Sequence, residues 1–281
     1  MIDSHHHVWD LSVRDQPWLA DDELAPIRRT FGIDDLRPYA QAAGVTATVM
    51  VQTVTVPEET PEMLALALAD PLVGGVVGWT DVTSPAVADA IAVLRAAPGG
   101  EFLAGIRHQV QEEPDPDWLR RPDVIRGLRM LADAGLAYDL IVRPHQIPAA
   151  TYAATAVPDL IFVLDHAGKP PIADGVLQPW ADDIRALAAC PNVVCKLSGL
   201  VTEAAPGAGP DALAPYVDVM LDAFSPGRLL FGSDWPVSLL AMTYTEVVRL
   251  SVELVAGLSE AERTAMFTTN AARVYTIAQE A

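Results

Sequence analysis

The sequence predicts a (β/α)₈ barrel, and three observations carry that expectation. Eight short apolar runs recur along the 281 residues, their starts advancing by about 32 residues, the length of one βα unit. Most are continuous apolar stretches closed by a polar residue, as expected of parallel strands covered on both faces. The segments between them carry apolar residues three or four apart, the helical period. An open doubly wound sheet usually carries a GxGxxG phosphate turn after a strand, and this chain has none.

The eight expected strands are residues 1–8 (MIDSHHHV), 45–52 (VTATVMVQ), 74–82 (GGVVGWTDV), 103–110 (LAGIRHQV), 136–142 (LAYDLIV), 160–166 (LIFVLDH), 192–198 (NVVCKLS) and 228–234 (RLLFGSD). Helical patterns fall at 61–70, 85–97, 122–135, 180–190 and 212–224. Thr83 and Ser84 before Pro85, and Ser259 before Glu262, read as helix starts, and Gly135 as a helix stop. The first crossover, 9–44, is long and rich in Pro and Asp, which predicts a partial lid. Residues 203–215, with two glycines and three prolines, read as a loop after strand seven. The final stretch, 258–277, reads as a closing helix or helix pair. No linker divides the chain, so residues 1–281 are expected to form one domain, a usual length for a barrel.

The net charge of −19 argues against nucleic acid, whose phosphates need a basic surface, and opposes steering of polyanions. Apolar residues make up 51% of the chain, but no run approaches the ~18 residues of a membrane span. Met1 leads directly into the first strand without a basic or apolar leader, so a cytoplasmic location is expected. Cys190 and Cys195 are the only cysteines and lack the CxxC spacing, so reduced thiols are expected rather than a thiolate metal site.

Candidate chemistry gathers at the strand tips. His5 and His7 are two apart, so on a strand their imidazoles share a face. His166 and Asp234 close two other apolar runs. Three imidazoles and one carboxylate at the tips can bind a divalent metal or run acid–base chemistry. Asp234 could instead cap the following helix, and His166 could be a structural imidazole held by neighbours. The His5–His6–His7 triplet is embedded in IDSHHHVWD rather than in a linker, unlike a tag, and His6 should face away from the interior.

On strand four only one of Arg107 and His108 can face inward, and Arg107 suits substrate oxygens better through its planar fork. Arg143 is a second candidate cation. Trp9, Trp79 and Trp235 sit at or past strand tips and could stack on a substrate ring, although packing is the default for any one tryptophan. Lys169 and Lys196 are the only lysines, and either could hold a substrate oxygen or anchor a loop.

IDSHHHVWD, GIRHQVQEEPD, DLIVRPHQIP, VLDHAGKPPI, NVVCKLSGLVTEA and FGSDWPV together resemble the amidohydrolase superfamily. Within it the chain is most similar to lactonases of sugar acids, of the fuconolactonase and rhamnonolactonase kind, and more distantly to 2-pyrone-4,6-dicarboxylate lactonase. The resemblance implies a (β/α)₈ barrel with His5, His7, His166 and Asp234 as catalytic and metal-ligating groups. Two-metal relatives carry a carboxylated lysine on strand four. Arg107 and His108 stand there in this chain, and the strand-five histidine has no clear counterpart, His145 lying beyond Arg143-Pro144. The resemblance therefore implies at most one divalent cation, with Zn²⁺ the expected ion, and no organic cofactor.

The expected reaction is hydrolysis of a sugar-acid lactone, with Asp234 as general base and His5, His7 and His166 polarising the carbonyl, directly or through the metal. Arg107, Arg143, Trp9, Trp79, Lys196 and Trp235 are the candidate substrate contacts. The alternatives are a pyrone-dicarboxylate lactonase, a metal-dependent decarboxylase of the same superfamily, and a barrel that only binds.

Overall fold

The computed structural model describes residues 1–278. Eight parallel strands pair strictly in chain order: β1 (Ile2–His6), β2 (Ala47–Val51), β3 (Val73–Gly78), β4 (Leu103–His108), β5 (Ala137–Leu140), β6 (Phe162–Leu164), β7 (Val193–Leu197) and β8 (Leu229–Phe231). The seam between β8 and β1 closes by two backbone hydrogen bonds just past β8, His7 N–H to the Trp235 carbonyl (2.7 Å) and Asp234 N–H to the His5 carbonyl (2.8 Å). The expected (β/α)₈ barrel is the fold found.

The outer ring holds α1 (Ile33–Ala42), α2 (Glu59–Ala69), α3 (Val87–Ala96), α4 (Pro122–Asp133), α5 (Ile147–Ala156), α6 (Trp180–Ala188), α7 (Pro210–Phe224) and α8 (Tyr244–Leu254). Three of these, α1, α5 and α8, lie outside the helical patterns read from the sequence. The Ala-rich run of α5 has little polar face to mark its period. Ser259 caps α9 (Glu260–Thr264) reciprocally with Glu262, as expected, and Gly135 follows α4 with φ +65°. Thr83 and Ser84 start a turn instead, because α3 begins only at Val87 and neither side chain caps it. The loop after β7 ends at Gly209, since Pro210 opens α7 with the fixed φ of a first helical residue. The closing segment breaks at a wide turn, Ala265–Thr269, before α10 (Asn270–Val274).

The barrel interior is layered by the two-residue period of its strands. Val49, Ala137, Val163, Val194 and Leu230 form an apolar layer together with Ala271, Val274, Tyr275 and Ile277 of the C-terminal segment, which plugs the barrel floor. Two residues further along the chain, Asp139 on β5, Asp165 just past β6 and Lys196 on β7 follow Ala137, Val163 and Val194, so a charged layer lies above the apolar one. His5 and Ser198 come next, towards the mouth.

Strands six and eight are shorter than the sequence suggests. β6 stops at Leu164 and β8 at Phe231, short of His166 and Asp234, both of which have left-handed backbones, with φ 52° and 56°. A strand cannot continue through that conformation. Both side chains are instead turned over the mouth.

Candidate active site

His5, His7, His166 and Asp234 meet at the C-terminal mouth. Asp234 Oδ1 lies 3.7 Å from His5 Nε2, 3.6 Å from His7 Nε2 and 3.8 Å from His166 Nε2, and the two strand-one Nε2 atoms are 3.2 Å apart. All four side chains are buried or nearly so.

Each is held from behind. His7 Nδ1 lies 2.7 Å from the Val51 carbonyl, and His166 Nδ1 lies 2.9 Å from Ser198 Oγ. Gly199, at φ +63°, is required there, because a Cβ would stand 2.5 Å from His166 Nδ1. Asp3 fixes the Asp234 turn by accepting from Ser233 N–H at 2.8 Å, and Tyr244 donates to its other oxygen at 3.1 Å. Trp180 Nε1–H ties down the His166 turn at the Ala167 carbonyl, 2.8 Å away. Left-handed non-glycine residues cost about 1–3 kcal/mol each and persist where surroundings over-determine them; His166, Ala167, Lys169 and Asp234 all adopt them here.

Burial opposes ionisation of Asp234, but His166, His7 and His5 outweigh it and hold the carboxyl well below its usual range. Burial lowers His166 to about 4 despite Asp234 and Asp165, and burial, helped by Lys196, holds His5 well below the usual imidazole range. At neutral pH Asp234 is a carboxylate facing neutral imidazoles at His5 and His166.

A charged layer lies beneath. Lys196 Nζ is 2.5 Å from Asp139 Oδ2, 3.0 Å from Asp165 Oδ1 and 3.0 Å from His5 Nδ1. Arg107 Nη1 is 3.0 Å from Asp165 Oδ2. Tyr275 OH donates to Asp139 at 2.9 Å. Burial pushes the Asp139 carboxyl up to about 6 against the pull of Lys196, whereas Lys196, His5 and Arg107 overcome burial at Asp165 and keep it strongly acidic.

The expected substrate contacts fall in different places. Arg107 faces inward, as expected, but its guanidinium is 2% exposed and committed to Asp165 and the Gln52 carbonyl. Lys196 is fully buried in the charged layer. Trp9 and Trp235 are buried, each edge-on to Phe31, so the structure gives both a packing role. Trp79 is partly exposed and donates to His108 Nδ1 at 3.1 Å. Arg143 sits in the open and pairs with Glu112 at 3.4 Å, and His145 is exposed beyond it. Lys169 lies 3.7 Å from Glu203. His6 faces away from the mouth onto Thr48 Oγ1 at 2.9 Å. The sequence reading passed over Asp139 and Asp165, although each is an acidic residue within an otherwise apolar strand run.

The donor set fits a single ion. Zn–N bonds of about 2.0–2.1 Å in a tetrahedron put neighbouring ligand atoms about 3.4 Å apart, and the separations among His5 Nε2, His7 Nε2 and Asp234 Oδ1 span 3.2 to 3.7 Å. His5, His7 and Asp234 form one grouping able to hold a metal, and His5, Asp165 and His166 another that shares His5.

Residues 2–277 match the amidohydrolase family. The chain belongs to that family. An L-fucono-1,5-lactonase of Burkholderia multivorans is 39% identical over 292 residues, covering 100% of this chain and 97% of the relative. An L-fucono-1,5-lactonase of Burkholderia ambifaria is 42% identical over 242 residues, covering 85% of this chain and 81% of the relative. A crystal structure of an amidohydrolase from Burkholderia multivorans with bound zinc superposes with a TM-score of 0.93 at 38% identity, covering 99% of each chain. The amidohydrolase resemblance read from the motifs is thereby established, and the His/Asp cluster suits the metal dependence typical of the family. No helix among the described residues is long and apolar enough to cross a membrane.

Proposed function

We propose that this amidohydrolase hydrolyses a lactone of a six-carbon sugar acid, opening the ring to an aldonate. The observation that carries the reading is Asp234 Oδ1 within 3.6 to 3.8 Å of three imidazole nitrogens at the barrel mouth. The whole-length likeness to L-fucono-1,5-lactonases supports the substrate class.

Asp234 takes a proton from the attacking water and hands it to the leaving alkoxide as the ring opens. A carboxylate held this acidic is ionised at neutral pH and hands its proton on readily, at the cost of being a weaker base toward the water. His5 and His166 face the developing oxyanion, and His7, whose Nδ1 faces the Val51 carbonyl, presents an Nε2 lone pair suited to a cation. A divalent cation held by these histidines and Asp234 would supply Lewis acidity at the lactone carbonyl. Arg107 acts from below, through the field it sets at His5. Arg143, Trp79 and Lys169 are the groups left at or near the rim to meet hydroxyls or the product carboxylate.

At most one tightly held divalent metal per chain is expected, with Zn²⁺ preferred by an imidazole-rich site. Strand four offers the Arg107 guanidinium in place of a bridging lysine, and a cation there disfavours a second ion. Elemental analysis of the purified chain checks this, and two equivalents would contradict it.

A neutral hydroxylated lactone is the expected substrate. A pyrone dicarboxylate needs several free pocket cations, whereas Arg107 and Lys196 are spent in internal ion pairs and the chain carries a net charge of −19. Proton release in a pH-stat across aldonolactones and 2-pyrone-4,6-dicarboxylate tests the assignment. A higher kcat/KM for the pyrone than for every aldonolactone overturns it. A decarboxylase would release no acid from any lactone.

A further inference from the structure

Two imidazole nitrogens 3.2 Å apart, His5 Nε2 and His7 Nε2, require a proton between them or a cation in front of them. The other nitrogen of His7 decides its tautomer. Nδ1 faces the Val51 carbonyl at 2.7 Å, and a carbonyl only accepts, so Nδ1 carries the proton and Nε2 the lone pair. His5 Nε2 must then be the donor in that contact. A neutral His5 protonated at Nε2 has its lone pair on Nδ1, where Lys196 Nζ stands at 3.0 Å. The other two ammonium protons of Lys196 face Asp139 and Asp165. In this arrangement the His5, His7 and Lys196 contacts each pair a donor with an acceptor without a cation, and Asp165 Oδ1 is left without a hydrogen bond. Arg107 Nη1, 3.5 Å from His5 Nε2, lies at the limit of a hydrogen bond and has Asp165 Oδ2 at 3.0 Å as its nearer partner.

The alternative partner is also in place. Asp165 Oδ1 lies 3.3 Å from His5 Nδ1 and makes no well-directed hydrogen bond of its own, although Lys196 Nζ is 3.0 Å away. If the His5 proton sits on Nδ1, Asp165 accepts it and the Nε2 lone pair turns free toward the mouth.

We propose that Lys196 and Asp165 act as positioning residues that select between two tautomers of His5. Lys196 holds the Nε2–H form, whose proton bridges to His7. Asp165 holds the Nδ1–H form, which frees Nε2 to ligate a divalent cation. One proton leaves Nε2 and one arrives at Nδ1, so the protein's own charge is unchanged. Cation binding therefore works against Lys196, and the affinity lies below that of the same four ligands without it. This inference rests on the reading of His5, His7 and Asp234 as a cation site and not on the lactone, so its tests use no substrate.

The first test is nitrogen NMR of the full chain labelled with ¹⁵N-histidine and stripped with chelator, with His5 assigned by loss of its signals in His5→Gln. The expected result is a pyridine-like Nδ1 and a pyrrole-like Nε2 on His5. A pyrrole-like Nδ1 in the stripped protein overturns the proposal. The second test is zinc affinity, by competition with a chromophoric chelator, of the charge-compensated double variant Lys196→Met/Asp139→Asn. Partners behind metal-binding histidines change affinity by about 10–100-fold; here the double variant is expected to bind zinc about tenfold tighter than wild type. Zinc taken up by the variant but not by wild type supports the proposal equally. Unchanged or weaker affinity, or binding by neither protein, overturns it.

Discussion

Replacing Asp234 with asparagine is expected to lower kcat on the lactone substrate by on the order of 10²-fold or more while leaving the fold intact. The carboxamide is nearly the size of the carboxylate but cannot accept the proton of the attacking water. The fold is expected to survive for two local reasons. Asparagine tolerates a left-handed backbone better than most residues, and position 234 has φ 56°. The turn is also fixed from outside the side chain, by Asp3 at Ser233 N–H and by the backbone bond from Asp234 N–H to the His5 carbonyl. Steady-state kinetics beside a thermal melt separate the outcomes. A variant that melts like the parent and turns over near the parental rate removes Asp234 as the base. A variant that melts early says nothing against the assignment until turnover is measured below its transition.

The barrel and its mouth were legible in the sequence because both rest on short-range patterns. Apolar runs spaced by one βα unit mark the strands, and polar residues closing them mark the tips where His5, His7, His166 and Asp234 converge. What the strands do inside the barrel was harder to read. Arg107 read as a substrate cation for its planar fork, and Lys196 as one of only two lysines, either of which could hold a substrate oxygen or anchor a loop. Their partners, Asp139 on β5 and Asp165 just past β6, come from other strands, and only closure brings the four together. A strict count by twos along β5 and β7 would have put Asp139 and Lys196 on the inward face. The same non-locality hid the role of Tyr275, which reaches Asp139 from the far end of the chain. Trp9 and Trp235 misled for the opposite reason, since their place near the tips suggested stacking while the long first crossover folds Phe31 against both rings. His166 and Asp234 were read as strand ends, yet each leaves its strand through a left-handed turn that no residue pattern announces.

Lys196→Met is expected to be the most damaging change to stability at the site's base. The side chain is fully buried and faces Asp139, Asp165 and His5. Methionine fits the stem but leaves two carboxyl groups with only Arg107 to balance them, and removing one partner of a buried ion pair costs about 3–5 kcal/mol. For a chain of this size that lowers Tm by on the order of 10 °C. Part of the loss should appear as pKa change, because Asp139 already lies near 6 through burial and would take up a proton once its ammonium partner is gone. The sign follows directly: a carboxyl whose folded value is raised binds its proton more tightly than the unfolded chain does. The variant's deficit therefore narrows as pH falls toward 5 and widens above 7. Lys196→Met/Asp139→Asn removes the second charge together with the first and is expected to recover much of the lost stability. Tyr275 OH keeps an acceptor in the amide oxygen of that double variant, so its hydrogen bond need not be lost. Thermal melts of the parent, the single and the double variant at pH 5 and pH 8 check this. Equal melting of single and double variants at both pH values would mean that Asp139 and Lys196 are not coupled, and the charged layer could not be credited with holding His5 in place.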